Sequence, residues 1–188
     1  MRVLAISGSL RAASLNSALL RATARIAPPG IEVRVFDGIG QLPLFNPDLE
    51  SADPPAVATL RTQIMAADAL LIASPEYAHG VTAAIKNALD WMVGNESFVN
   101  KPVALFNASP RAVHAQAALR ETLNTMSARV IAPACITVPI LGSGLDEFGI
   151  SNHAPFRSAI VEALRALQKE ILSAREGAEP SGRGFFGI

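Results

Sequence analysis

Short apolar runs alternate with longer amphipathic runs along this chain, and the short runs are typical of buried β-strands. Val3–Ile6 and Ala69–Ala73 are almost entirely apolar, as expected of central strands that are covered on both faces of a parallel sheet. Ile31–Phe36 alternates between apolar and polar residues and is typical of a strand nearer an edge. Two more strands are predicted at Pro102–Ala108 and Val130–Val138, the last of them interrupted near Pro133.

The amphipathic runs predict five helices that alternate with these strands. Apolar residues recur at intervals of three and four, and the apolar stripe is strongest from Phe156 to Ile171. Asp37–Pro55 is Pro-rich and without periodicity, which predicts a long irregular connection of the kind that is often functional. The alternation predicts an α/β fold, a five-stranded parallel sheet in the order 2-1-3-4-5 with helices on both faces.

Length and charge narrow the possible classes of function. The 188 residues suit one domain, predicted at residues 1–176, with a C-terminal tail at residues 177–188. The 16 basic and 16 acidic residues cancel, which argues against nucleic-acid binding and against a polybasic membrane patch. The apolar runs fall short of the roughly 18 residues that a membrane-spanning helix needs. One cysteine forms no internal disulfide, so we expect a reducing, cytoplasmic location.

The loop that follows the first strand has the composition of an anion site. Residues 8–16 carry serine hydroxyls, an arginine and the asparagine Asn16, and they open a helix. A helix N-terminus with such donors binds phosphate readily. The alternative is ordinary N-capping by Ser14 with the other side chains solvated. The density of serine and arginine exceeds what one cap needs and favours phosphate.

Two more loops are expected at the same edge of the sheet, since ligands bind beyond the carboxyl ends of the strands. Residues 75–80 follow the third strand and combine a proline, a glycine and Tyr77. This combination suits a planar heterocycle held by backbone hydrogen bonds, although a plain turn with a packed tyrosine explains it equally well. Residues 109–114 follow the fourth strand.

Several other chemistries lack their motifs. There is no G-x-x-x-x-G-K-[ST] phosphate loop, no G-x-G-x-x-G after the first strand and no G-x-S-x-G elbow. The one cysteine, Cys135, falls in the predicted fifth strand, which favours a buried structural thiol over a nucleophile. His79, His114 and His153 lack paired metal-ligand spacing, so no metal site is predicted.

Taken together, these segments resemble the NADPH-dependent FMN reductase family, a flavodoxin-like group that includes quinone, azo and chromate reductases. The resemblance covers residues 2–172. The segments that carry it are Gly8-Ser9-Leu10-Arg11 with Ser14 and Asn16, Leu42-Pro43-Leu44-Phe45-Asn46-Pro47-Asp48, Pro75-Glu76-Tyr77, and Lys86-Asn87-Ala88-Leu89-Asp90-Trp91.

The resemblance implies a flavodoxin-like three-layer fold and an oxidoreductase that uses FMN with NADPH or NADH. It implies that the first loop holds the FMN phosphate and that residues 75–80 support the flavin, largely through main-chain atoms. No catalytic side chain is expected, because the flavin carries the hydride. The implied FMN-binding residues are Ser9, Arg11, Ser14, Leu15, Asn16, Pro75, Glu76, Tyr77, Ala78, His79, Gly80, Ser109, Pro110 and Arg111.

The resemblance further implies a homodimer or homotetramer that reduces a small molecule, the acceptor being a quinone, an azo compound, a metal oxyanion or a flavin. Two departures from the family pattern stand out. Ala78 and His79 follow the Pro-Glu-Tyr sequence, where many members have asparagine. Ser109-Pro110-Arg111 stands where members commonly have two glycines, so we expect a narrower pocket or a changed mode of flavin binding.

Two alternatives remain beside the reductase. A flavodoxin-like electron carrier without NAD(P)H oxidation would use the same phosphate loop, but such carriers are typically acidic and this chain is neutral. A degenerate flavin-binding module with a regulatory role is suggested by the altered loop after the fourth strand.

Overall fold

A computed structural model describes residues 1–178 of the chain. Its centre is a parallel sheet in the order β2-β1-β3-β4-β5, with β6 also pairing with β4. The predicted strand order is thereby confirmed. The strands are β1 (Arg2–Ser7), β2 (Glu32–Phe36), β3 (Ala69–Ala73), β4 (Pro102–Asn107), β5 (Arg129–Val130) and β6 (Ile136–Thr137).

Helices cover both faces of this sheet. They are α1 (Leu15–Ile26), α2 (Pro55–Ala66), α3 (Ala83–Asp90), α4 (Val113–Thr125), α5 (Glu147–Asn152) and α6 (Ala154–Ala178). Side chains of a strand alternate between faces, so Val3 and Ala5 pack beneath α1 and α6. Leu4 and Ile6 pack on the opposite side with α2, α3 and α4. Two apolar layers therefore hold the sheet between the helices.

The predicted fifth strand is divided into two short strands. Residues Ala132–Ala134 form a 3₁₀ turn between β5 and β6, because Pro133 has no backbone N–H to donate to a ladder. Cys135 lies at the end of this turn, outside either strand, and is half-buried. Its Sγ accepts a hydrogen bond from the Leu105 backbone N–H at 3.3 Å. The expectation of a buried thiol within the fifth strand was wrong, since the 3₁₀ turn at Pro133 places this half-buried residue outside the ladder.

Three other segments differ from the sequence-based expectation. The connection from Asp37 to Pro55 contains two 3₁₀ segments, Ile39–Gln41 and Pro47–Ala52, so it is more regular than predicted. Helix α5 was not predicted; Asp146 caps it by accepting from Gly149 N–H at 2.8 Å. The predicted tail lies outside the described residues except for its first two positions, which continue α6. No helix among residues 1–178 combines the length and the apolar character needed to cross a membrane.

The long connection after β2 is anchored to α3. The Asn87 side chain accepts from Phe45 N–H at 2.8 Å and donates to the Pro43 carbonyl at 3.0 Å. Trp91 Nε1 donates to the same carbonyl at 2.8 Å, and its ring packs edge-on against Phe45 at 5.1 Å. These contacts explain why the two family-like segments at residues 42–48 and 86–91 occur together: one holds the other in place. Lys86 and Asp90 form an ion pair on α3.

Asp68 joins the start of the sheet to α6. Burial raises the pKa of this carboxyl, but the Arg2 backbone N–H and the Arg175 guanidinium outweigh burial, so its pKa lies below the ordinary 3.8. The hydrogen bonds are 2.6 Å from Arg2 N and 2.7 Å from Arg175. A lowered folded-state pKa stabilises the protein above the unfolded value, and this contribution is lost as pH falls through the folded pKa.

Asp68→Asn is therefore expected to lower the free energy of unfolding at neutral pH, by up to about 1 kcal/mol for this solvent-accessible pair. The difference from the wild type is expected to shrink as pH falls below 3.8, where the native carboxyl becomes protonated. Urea unfolding at a series of pH values measures this. Asp37→Asn, at an exposed position, is the matched control. A difference that stays constant with pH would contradict the assigned role of Asp68.

Candidate functional site

Three loops meet at the carboxyl edge of the sheet and line a cavity of about 340 Å³. They follow β1, β3 and β4, as predicted from the parallel topology. The predicted residues that line this cavity come from all three loops: Ser9, Arg11, Ser14, Leu15, Asn16, Pro75, Glu76, Tyr77, Ser109 and Arg111. The remaining predicted residues, Ala78, His79, Gly80 and Pro110, lie outside the lining.

The N-terminus of α1 faces this cavity with open donors. Ser14 caps the helix by accepting from Ser17 N–H at 3.2 Å. Within the described part of the chain, no acceptor is paired with the backbone N–H groups of Leu15 and Asn16. Capping by Ser14 and anion binding are therefore compatible, because the cap uses one donor and leaves two free. The partial positive charge of a helix N-terminus adds to their attraction for an anion.

The first loop is held against its neighbours by buried polar groups. The Gly8 carbonyl accepts from Thr82 Oγ1 at 2.5 Å, and Gly8 N–H donates to the Ala73 carbonyl at 2.8 Å. Asn16 is buried, and its Oδ1 accepts from Ala108 N–H at 3.3 Å. These bonds tie β1, β3, β4 and the start of α1 together. The donors at the cavity are therefore held in place before any ligand arrives.

Positive charge dominates the side chains around the cavity. Arg11 and Arg111 are exposed lining residues. Neither is part of an ion pair within residues 1–178. The one carboxylate in the lining, Glu76, accepts from Ala115 N–H at 2.8 Å in the first turn of α4. Ala112, the cap residue of that helix, has no side-chain acceptor of its own. Glu76 therefore caps α4 from another loop.

The loop after β3 forms a tight two-residue turn. Tyr77 and Gly80 exchange backbone hydrogen bonds of 3.2 and 2.9 Å. Ala78 and His79 between them have φ of 50° and 60°, a left-handed conformation that usually calls for glycine or asparagine. This turn presents Tyr77, which is 59% exposed and lines the cavity. The flat surface expected of this tyrosine is thus free for a ligand.

The tip of the turn contacts α4 instead of the cavity. The His79 ring stacks on His114, with ring centroids 4.3 Å apart and planes at 25°. Together with the Glu76 cap, this contact fixes the β3 loop against the start of α4. Among residues 1–178, no cluster of three or more His, Cys, Asp or Glu side chains is arranged to hold a metal ion.

Five other residues line the cavity. Ala13 and Ala112 fall within the predicted loops but were not named individually, whereas Asn107, Ala108 and Leu141 lie outside those loops. Asn107 is the last residue of β4, a position where ligand-binding residues are expected in a parallel sheet. Its place at the cavity could therefore have been predicted from the sequence. Leu141 lies in the connection between β6 and α5, and only the fold brings it to the cavity.

Comparison with known proteins agrees with this architecture. A family model described as NADPH-dependent FMN reductase matches residues 1–140. The NAD(P)H-dependent FMN reductase PA1204 of Pseudomonas aeruginosa is 37% identical over 174 residues, covering 89% of this chain and 94% of that protein. The NADPH:quinone oxidoreductase of Arabidopsis thaliana is 42% identical over 113 residues, which cover 57% of each protein.

A solved structure shows the same fold over nearly its whole length. The flavoenzyme NAD(P)H:(acceptor) oxidoreductase FerB of Paracoccus denitrificans superimposes with a TM-score of 0.73 at 27% identity, covering 89% of this chain and 97% of that one. The family match includes the loops after β1, β3 and β4, which together line the cavity. The chain is therefore an oxidoreductase that belongs to the NADPH-dependent FMN reductase family.

Proposed function

We propose that the cavity binds FMN and that the protein oxidises NADPH or NADH and reduces a small quinone-like acceptor. The observation that carries this proposal is the meeting of three loops around one cavity that has an arginine and a helix N-terminus among its donors. The relatives described as FMN reductase and NADPH:quinone oxidoreductase support it.

The residues present fit FMN. A cavity of about 340 Å³ lies in the range of roughly 300–1,000 Å³ that is usual for small-molecule sites. The open N–H groups of Leu15 and Asn16, with the Ser9 hydroxyl and the Arg11 guanidinium, form a donor set that suits a phosphate. Tyr77 and Leu141 add apolar surface that suits a ring system.

When bound, FMN would supply the redox chemistry by which two electrons pass from the reduced nicotinamide to the acceptor. The residues of the chain would bind the cofactor and orient it. Arg11 and the N-terminus of α1 hold the phosphate, and Asn16 fixes the relative position of α1 and β4. Tyr77 and Leu141 would contact the ring system of the bound flavin. No side-chain acid or base is assigned in this proposal.

Quinones are the proposed acceptors, because relatives from two kingdoms carry quinone in their names, including the quinone reductase of Escherichia coli, 34% identical over 113 residues. Azo compounds, metal oxyanions and free flavin stay predictions from the family resemblance. The homodimeric or homotetrameric assembly and the cytoplasmic location also stay predictions.

Titration of the purified protein with FMN, followed by flavin absorption and fluorescence, tests the proposal. We expect saturation at micromolar FMN and, after addition of NADPH and a quinone, oxidation of NADPH that depends on both FMN and quinone. Failure to bind FMN at micromolar concentration would overturn the proposal. FMN binding without oxidation of NADPH or NADH would point to the electron-carrier alternative.

A further inference from the structure

The two arginines of the cavity lie on loops that leave the sheet two strands apart. Arg11 follows β1 and Arg111 follows β4, with β3 between them. Neighbouring strands lie about 4.8 Å apart, so the two loops begin about 10 Å from each other. The helix N-terminus and the Ser9 and Ser14 hydroxyls accompany Arg11. Arg11 thus belongs to the loop that precedes the open N-terminus of α1, and Arg111 reaches the cavity lining from a separate loop.

The Arg111 guanidinium is available to a ligand. The ion pairs among residues 1–178 involve other arginines and lysines. The nearby carboxylate of Glu76 accepts from Ala115 N–H as the cap of α4. A cation in a cavity lined partly by apolar residues such as Leu141 interacts with an anion more strongly than one on an open surface.

The backbone that carries Arg111 is well fixed. Arg111 N–H donates to Ser109 Oγ at 3.3 Å, and Ser109 N–H donates to Asn107 Oδ1 at 3.1 Å. Pro110 restricts φ between them, and Ala112 N–H donates to the Ser109 carbonyl at 3.2 Å as α4 begins. The loop therefore holds Arg111 at the cavity rim, while its long exposed side chain can follow ligands of different shape.

We propose that Arg111 determines a preference for a second reactant that carries an oxyanion group, either the 2′-phosphate of NADPH or an acidic substituent on the electron acceptor. This inference rests on the proposed function, since FMN occupies the Arg11 side of the same cavity. A guanidinium binds phosphate and sulfonate oxygens through paired N–H donors, whereas a neutral amide of similar length loses the charge and the paired geometry.

Arg111→Gln and Arg111→Lys test this inference by equilibrium titration of the FMN-loaded protein with pairs of ligands. One pair is NADP⁺ and NAD⁺, and the other is a sulfonated naphthoquinone and its unsubstituted parent. In Arg111→Gln we expect the preference for the anionic member of one pair to fall about tenfold, the change typical of one charged hydrogen bond in a partly exposed site. Arg111→Lys keeps the charge and is expected to retain most of the preference.

Arg157→Gln, at an exposed position of α6 outside the cavity lining, is the matched control and should leave both preferences unchanged. Loss confined to the NADP⁺ pair identifies the 2′-phosphate, and loss confined to the quinone pair identifies the acceptor. The inference is overturned if the wild type shows no preference in either pair, or if Arg111→Gln weakens both members of each pair equally. It is also overturned if Arg111→Gln instead reduces the preference for FMN over riboflavin, which would place Arg111 at the FMN phosphate. Failure of the wild type to bind FMN would contradict the proposed function itself.

Discussion

Replacing Arg11 with glutamine is expected to weaken FMN binding by about 10- to 100-fold, which corresponds to about 1.5–3 kcal/mol for a lost hydrogen bond between charged groups. Arg11 lines the cavity beside the open N-terminus of α1 and has no ion-pair partner within residues 1–178. Its charge is therefore free to bind a phosphate. Fluorescence titration of the variant with FMN measures the change.

Riboflavin provides a matched ligand for this test, because it has the same ring system and lacks the phosphate. The affinity for riboflavin is expected to change little in Arg11→Gln, so the ratio of the two dissociation constants isolates the phosphate contact. Raising the salt concentration should weaken FMN binding to the wild type more than to the variant, since the arginine is exposed and its charge is screened. An equal loss of affinity for FMN and for riboflavin would instead indicate that Arg11 maintains the conformation of the loop and does not contact the phosphate.

Gly8→Ala is expected to lower the free energy of unfolding by about 1–3 kcal/mol, the usual cost of overpacking a well-packed interior. A Cβ at this position would lie 2.2 Å from Ser74 Oγ and 3.1 Å from Ser74 Cα. Ser74 is buried, and its hydroxyl lies 3.4 Å from Thr82 Oγ1. The ends of β1 and β3 would have to separate. Thermal unfolding should show a melting temperature lower by about 3–10 °C.

A double variant and a control make this result specific. Ser74→Gly in the Gly8→Ala background removes the clashing Oγ and Cβ, so we expect it to restore part of the lost stability. Gly94→Ala is the control, because a Cβ at Gly94 meets no atom within 4 Å. FMN affinity should fall in Gly8→Ala as well, since Ser9 of the same loop lines the cavity. Stability equal to that of the wild type would mean that the two strand ends separate at little cost.

Local patterns in the sequence were sufficient to predict the sheet and most of the residues that line the cavity. Runs such as Ala69–Ala73 are apolar throughout because β3 is covered on both faces, and this burial is visible as composition. The alternation of strands and helices restricts the topology to few orders. In a parallel sheet, the loops that follow the carboxyl ends of the strands lie at the same edge. Ser9, Tyr77 and Ser109, each in a loop after a different strand, were therefore expected to lie near one another.

Residues that reach the site through long-range contacts could not be predicted from local sequence patterns. Leu141 enters the cavity because the chain after β6 returns across the carboxyl edge, and Glu76 caps α4 because Ala112 offers no acceptor there. The turn at Ala78 and His79 also depends on its surroundings, since neither residue is the glycine or asparagine usual in such a turn and the stack on His114 holds the tip.

The sequence by itself predicted the strand order, the two apolar layers and the loop that we propose binds a phosphate. These follow from the composition and period of local segments and from the alternation of strands with helices. Only the tertiary structure decided how α4 is capped and which loop residues face the cavity or turn away from it. These features depend on pairs such as Glu76 and Ala115, which are 39 residues apart in the chain. Their hydrogen-bonding and packing energies arise only when the fold brings both members together.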